Sequence, residues 1–209
     1  MHVTIIAKEP IAGRVKTRLC PPCTPQQAAD VAAAALADTF DSIAAATSGM
    51  DVRRVLLLDG ARPDSTPDST EVVAQRGSGL SERLRNGFEE LGPGLIVGME
   101  TPAAARSVGA AVPWLRDGVH VLGLATDGGY WCIGVAQTDC SVLDAVFGDV
   151  PMSRSNTGLT QLRALHRVGA TRLLAMARDL DTPDDLRAHL REPHGGLLRI
   201  AAARALGVQ

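Results

Sequence analysis

Short apolar runs of β-type residues alternate with helix-forming segments along almost the whole chain, and this alternation limits the fold more than any single motif. Val3 to Ala7 opens the series, and a loop carrying Pro10 and Gly13 separates it from an Ala-rich segment, Pro25 to Ala46. Thr24, Pro25 and Gln27 supply an N-cap, a first-turn proline and a capping-box partner, which start a helix there. Further strands are predicted over Val52 to Leu58, Glu71 to Ala74, Gly94 to Gly98, Val119 to Ala125, Tyr130 to Ala136 and Arg172 to Ala175. Helices are predicted over Leu80 to Leu91, Ala103 to Trp114, Gly158 to Val168, Pro183 to Leu190 and Gly196 to Leu206. Strands that alternate with helices give a three-layer α/β/α sandwich with a mostly parallel sheet, and right-handed crossovers gather the strand-to-helix loops on one edge. The chain has 209 residues and no linker long enough to divide it, so 1–209 reads as one domain.

Composition excludes several classes of function. A formal net charge of -2 leaves no basic surplus for a broad nucleic-acid surface, and six aromatic residues offer few stacking platforms. No apolar stretch has the length of a membrane span, and the N-terminus enters a strand without a signal-peptide profile, so a cytoplasmic protein is expected. Four cysteines are too few for a disulfide scaffold in a chain of this length. Cys20-Pro-Pro-Cys23 has redox or metal spacing, but the double proline also reads as shaping the loop before the first helix.

Of the 21 basic residues only two are lysines, Lys8 and Lys16, and both lie in the first loop. That loop, Ala7-Lys8-Glu9-Pro10-Ile11-Ala12-Gly13-Arg14-Val15-Lys16-Thr17-Arg18-Leu19, brings four positive charges within eleven residues and suits a diphosphate. It has neither the Walker nor the dinucleotide glycine spacing. Glu100 follows a buried strand at the same sheet edge, where a carboxylate can hold Mg²⁺ or Mn²⁺ or simply precede a helix capped by Thr101. In Asp179-Leu180-Asp181-Thr182-Pro183-Asp184-Asp185, capping accounts for Thr182 and Asp185 and leaves Asp179 and Asp181 as candidate metal ligands. Thr126-Asp127-Gly128-Gly129-Tyr130-Trp131 is a glycine turn leading into an aromatic pair, and Gln75-Arg76-Gly77-Ser78-Gly79 is a glycine loop that opens a helix.

Taken in order, AKEPIAGRVKTRL, QRGSGLSERL, GMETP, TDGGYWCIGV and DLDTPDDL resemble the DUF2064 family of glycosyltransferase-A-like proteins, from about Val3 to Leu190. The resemblance implies a nucleotide-diphospho-sugar transferase fold with structural kinship to molybdenum-cofactor and phospholactate guanylyltransferases. It implies a metal-dependent glycosyltransferase using a nucleotide-diphospho-sugar donor, with two alternatives: a nucleotidyltransferase using an NTP, or a degenerate nucleotide-binding relative. On that pattern Ala7, Lys8, Gly13, Arg14, Lys16 and Arg18 hold the phosphates, and Gln75 and Gly77 lie near the base. Glu100 and Asp181 hold Mg²⁺ or Mn²⁺, while Lys16, Arg18 and Asp127 are catalytic. Gly128, Gly129 and Tyr130 line the acceptor side. The sequence departs from the pattern at Met99-Glu100-Thr101, where such proteins commonly read Ser-Asp-Ser, and at Thr126, where an acid is common. The acceptor is left open, and the C-terminal helix either covers the core or pairs two subunits as a homodimer.

Overall fold

A computed structural model describes residues 1–191 and 196–208. The strands are β1 (His2–Lys8), β2 (Arg53–Asp59), β3 (Glu71–Ala74), β4 (Gly94–Gly98), β5 (His120–Ala125), β6 (Tyr130–Val135) and β7 (Thr171–Ala177). They form one seven-stranded sheet in the order β3-β2-β1-β4-β6-β5-β7. β6 runs antiparallel to β4 and β5, and the other pairings are parallel. The mostly parallel sandwich expected from the alternation is therefore present. The carboxyl ends of β1, β2, β3, β4, β5 and β7 share one edge, and the loop after β6 leaves from the opposite one. Because β1 lies between β2 and β4, successive crossovers diverge on either side of it, which places the topological switch point between β1 and β4.

The helices are α1 (Pro25–Ala46), α2 (Leu80–Leu91), α3 (Pro102–Ala105), α4 (Ala111–Arg116), α5 (Cys140–Phe147), α6 (Thr157–Val168), α7 (Pro183–Arg191) and α8 (Leu197–Leu206). Period-two alternation sends Val3, Ile5, Leu95 and Val97 to the face covered by α1 and α4, and Leu57, Ile96, Leu122 and Ile133 to the face covered by α2, α5 and α6. α1 begins with the capping box read from Thr24 and Gln27. Its alanines serve two sides: Ala29 and Ala32 meet the sheet core, while Ala28 and Ala35 pack with Leu186, Leu198 and Ala202 of α7 and α8. α8 thus covers the core from outside α1, with Leu197 and Ile200 left exposed. Cys23 is buried in this outer cluster, Cys20 is partly buried, and both are free thiols. Among the described residues no helix is long and apolar enough to cross a membrane.

Two predicted boundaries differ from the structure. The helix expected over Ala103 to Trp114 is broken into α3, a 3-10 turn at Val108–Ala110 and α4. Pro113 has no N–H to continue a helix, and at Gly109 the backbone closes on α1, so that a Cβ would lie 2.3 Å from the Ala46 carbonyl oxygen. α5 was not anticipated. Its signal is present in Asp139, whose side chain accepts from the Val142 amide, followed by buried Leu143, Val146 and Phe147.

His2 anchors the edge of the sheet opposite the functional loops. It is fully buried, its Nε2 donates to the Gly92 carbonyl at 3.0 Å, and its Nδ1 accepts from Thr4 Oγ1 at 2.7 Å. The strand partner is Gly94, where a Cβ would come within 2.5 Å of the His2 ring. Burial lowers the imidazole pKa to about 4. As pH falls below the ordinary value near 6.5, the unfolded chain takes up this proton first, so the folded state loses stability between about pH 6.5 and pH 4. The expected loss from this residue is about 3 kcal/mol. Urea unfolding at pH 7 and pH 4 should reveal it, and His2→Gln should flatten the slope.

Candidate active site at the sheet switch point

The loop after β1 is held by two buried apolar residues, Val15 and Leu19, with a 3-10 turn at Thr17–Leu19 between β1 and α1. Gly13 lies at φ 78° in the turn closed by the Arg14 amide on the Ile11 carbonyl. Among the described residues Lys16 is one of two non-glycine residues with positive φ, at φ 50° and ψ 34°. A lysine held in this region carries a conformational cost, a pattern that concentrates at functional sites.

That backbone delivers Lys16 to a cluster of acceptors. Its side chain is 3% exposed, and Nζ pairs with Glu100 Oε2, donates to Asp181 Oδ1 at 3.1 Å and donates to the Leu180 carbonyl. Three acceptors match the three ammonium protons. Glu100 arrives from the end of β4 and Asp181 from the loop after β7, so one residue ties together loops far apart in sequence. Arg18, which is largely exposed, adds a 3.2 Å pair to Asp181 Oδ2. Burial pushes the Glu100 carboxyl upward, while Lys16 opposes the shift. Asp179 is raised to about 7, first by burial and then by the carboxylates of Asp127, Glu100 and Asp181. Two acids therefore pair with the buried ammonium, and Asp179 faces the charges of Asp127, Glu100 and Asp181 beside it.

Beside this cluster a cleft of about 490 Å³ opens over the β1–β4 switch point. Of the predicted residues, Ala7, Lys8, Arg14, Lys16, Gln75, Glu100 and Tyr130 line it. Lys8 and Arg14 are exposed, and among the described residues neither has an ion-pair partner, so both cations are available to an anionic guest. Gly13, Gly77, Arg18, Asp127, Gly128, Gly129 and Asp181 lie outside the lining. Asp181 nevertheless adjoins the cleft through Lys16.

Gln75 carries a structural duty as well as lining the cleft. Its Nε2 donates to the Ala7 and Leu57 carbonyls at 2.7 and 2.9 Å, clamping β1 to β2. Its Oε1 accepts from Arg83, whose guanidinium also binds Asp59 at 2.6 Å and the Gly77 carbonyl at 3.1 Å. Arg83 is thus a cleft cation that motif reading passed over, although its place one turn into α2 was visible in the sequence. Asp179, a candidate metal ligand in the sequence beside Asp181, lines the cleft, whereas Asp181 does not. Tyr130 donates its hydroxyl to Met152 Sδ at 3.7 Å, and burial raises its pKa, so it stays a neutral phenol in the wall.

The Asp127-Gly128-Gly129 turn is held from below. Asp127 Oδ1 accepts from the Gly129 amide at 2.8 Å, and the Gly128 carbonyl accepts from the Gly158 amide at 2.8 Å. Thr182 and Asp185 form the predicted capping pair at the start of α7. Thr101, predicted as a cap, makes no capping hydrogen bond, and its buried Oγ1 has no partner.

Hard oxygen donors suit Mg²⁺ or Mn²⁺, and Glu100 and Asp181 already converge on one cationic centre. Among the described residues no three His, Cys, Asp or Glu side chains are gathered as a metal cage. Two carboxylates with the remaining positions left to water and phosphate oxygens is an ordinary arrangement for Mg²⁺. Glu100 and Asp181 are therefore the residues that could hold such an ion.

The profile of a family described as "Uncharacterized protein conserved in bacteria (DUF2064)" matches residues 27–154, more than half of the chain. The chain belongs to the DUF2064 family. A comparison with curated proteins finds no significant match. The fold is similar to that of a Desulfovibrio desulfuricans G20 protein assigned provisionally as a nucleotide-diphospho-sugar transferase, with TM-score 0.81 and 19% identity over 99% of this chain and 96% of the other. CMP:2-keto-3-deoxy-manno-octonic acid synthetase complexed with CTP aligns at TM-score 0.49 and 13% identity, covering 99% of both chains. A Mycobacterium tuberculosis rv0371c homolog from Mycobacterium sp. strain JC1 aligns at TM-score 0.49 and 21% identity, covering 90% of this chain and 94% of the other. This DUF2064 chain thus has a nucleotide-diphospho-sugar transferase-like fold, with its cleft at the sheet's switch point.

Proposed function

We propose that this protein is a metal-assisted transferase that takes a nucleotide-diphospho-sugar as donor and passes the sugar to a hydroxyl acceptor. The observation that carries the reading is the meeting of Lys8 and Arg14 with the Lys16-Glu100-Asp181 cluster across one cleft. The two free cations attract the diphosphate, and the glycine loop before α2 leaves room for the nucleoside. Glu100 and Asp181 would hold Mg²⁺ or Mn²⁺, whose charge would offset that of the diphosphate.

In the transfer the acceptor oxygen forms a bond to the anomeric carbon, and the bond from that carbon to the diphosphate oxygen breaks. The nucleoside diphosphate leaves with the electron pair, and the acceptor gives up its hydroxyl proton. Asp179 lies in the cleft wall beside the acid cluster and is the carboxylate we assign to receive that proton. Asp127 is exposed and bound to the Gly129 amide, a position suited to shaping the turn beside Asp179. Arg14 and Lys8 stabilise the growing charge on the departing diphosphate.

The test is release of nucleoside diphosphate from a panel of nucleotide sugars with Mn²⁺ and candidate hydroxyl acceptors. Release that is lost with EDTA and falls about a hundredfold in Asp179→Asn supports the reading, since general-base catalysis contributes on that order. Pyrophosphate release from an NTP and a phosphorylated acceptor, with sugars inert, would replace it by nucleotidyl transfer.

A further inference from the structure

A second cleft of about 450 Å³ adjoins the first. Glu100, Thr101 and Asp179 line both clefts. The second is bounded by the segment around α3, the end of β7 and one side of α7. Its size is in the range of small-molecule sites, and its floor of Pro102, Ala103, Ala104, Ala175 and Ala177 is small and apolar. Its charge is divided. The shared wall is acidic through Glu100 and Asp179, whereas Arg106 and Arg178 lie elsewhere in the lining. Arg178 contacts Asp185 at 3.4 Å, and Asp185 is already engaged in capping α7. Arg106 is exposed and has no ion-pair partner among the described residues. Thr101 is 5% exposed, and its hydroxyl has no hydrogen-bond partner in the protein.

We infer that this second cleft is the acceptor site, and that the acceptor is a small molecule with an apolar frame, a hydroxyl and one anionic group, phosphate or carboxylate. The assignment to an acceptor rests on the transferase reading above. Like charge keeps the anionic end away from Glu100 and Asp179 and directs it to Arg106 and Arg178. The neutral hydroxyl is then the end that lies toward Glu100 and Asp179, where the two clefts adjoin and the donor sits.

The experiment is titration of the whole protein with inorganic phosphate and, separately, with malonate, followed by backbone amide shifts. Both clefts carry cations, so the two regions are read independently. Phosphate or malonate should shift amides of residues 101–107 and 175–178. Arg106→Ala should weaken that response about tenfold, one charged contact on the affinity scale, and leave shifts at Lys8 and Gly79 unchanged. The stronger of the two anions names the acceptor's group. Shifts confined to the first cleft, or a response in 101–107 that Arg106→Ala leaves intact, would overturn the proposal. A response at Arg106 in a protein that binds no nucleotide would keep the anion site and remove its role as acceptor site, so the two readings fail separately.

Discussion

Lys16→Met is expected to lower stability by about 2 kcal/mol and to make the melting temperature respond more strongly to Mg²⁺ or Mn²⁺ than in the parent protein. Removing one partner of a fully buried ion pair costs several kcal/mol, because the remaining charge is left uncompensated. Here the lysine is enclosed, but Glu100 and Asp181 keep 35% and 40% of their side-chain surface open, so water screens part of the loss. Methionine fills a similar volume without charge. Glu100, Asp179 and Asp181 then crowd together without the buried ammonium, the exposed Arg18 reaching Asp181 alone, and a divalent ion becomes a strong counter-charge for them. Chemical denaturation with and without the ion measures both effects. Equal ion responses in variant and parent would show that the ammonium and the metal do not share these oxygens. The parent protein itself should gain least from the ion when no nucleotide is present, because Lys16 already satisfies the acids.

Gly128→Ala should be the most damaging single methyl in the fold. Gly128 sits at φ 92°, and an added Cβ would lie 1.9 Å from the Ser155 carbonyl oxygen, far inside contact distance. The atom it meets is backbone, and relief requires the 153–157 segment to move away from the β5–β6 turn. That segment leads into α6, whose Gly158 amide is bound to the Gly128 carbonyl. A loss of about 3 kcal/mol is expected from strain and displaced packing together. Gly118→Ala is the control. It too has positive φ, at 80°, but nothing lies within 4 Å of the added atom, so only the backbone term of about 1 kcal/mol applies. Equal losses in the two variants, measured by urea unfolding, would show that packing against Ser155 carries no weight.

The sheet was legible because each strand carries its own local signature. The run Val3 to Ala7 needs no distant partner to be read, and neither do the cap at Thr24 and the glycine that closes α2. The single reversed strand follows from the tight Asp127-Gly128-Gly129 turn, which leaves room for a hairpin and none for a crossover. Boundaries failed where tertiary contact decides. Gly109 is a helix weakener in sequence, but its necessity comes from Ala46, some sixty positions earlier. Asp139 before α5 was a readable cap that strand counting overlooked.

The site was legible as a set of motifs on one edge and illegible as a set of contacts. Lys8 and Arg14 face the cleft as loop charge suggested. Lys16 belongs to the same loop, yet its donors go to Glu100, Asp181 and Leu180, a partnership that spans 165 positions in the case of Asp181. Gln75 shows the same limit: its amide clamps two strands, which no local pattern announces. The second cleft is formed by β7, α3 and α7 together, and no local pattern announces it; Thr101, read as a cap, has a hydroxyl with no partner among the described residues.

A transferase of the proposed kind binds a diphosphate-bearing nucleotide in the β1–β4 cleft with help from a divalent ion. This binding is tested most directly by thermal stabilisation of the purified protein with nucleoside diphosphates and nucleotide sugars, in Mg²⁺ or Mn²⁺ and again in EDTA. A ligand at about 100 times its Kd adds about 2.7 kcal/mol. Stabilisation by at least one such nucleotide is expected, lost in EDTA and in Glu100→Ala, and reduced in Arg14→Ala. Stabilisation by none of them, or an equal response in Glu100→Ala with EDTA present, would contradict it.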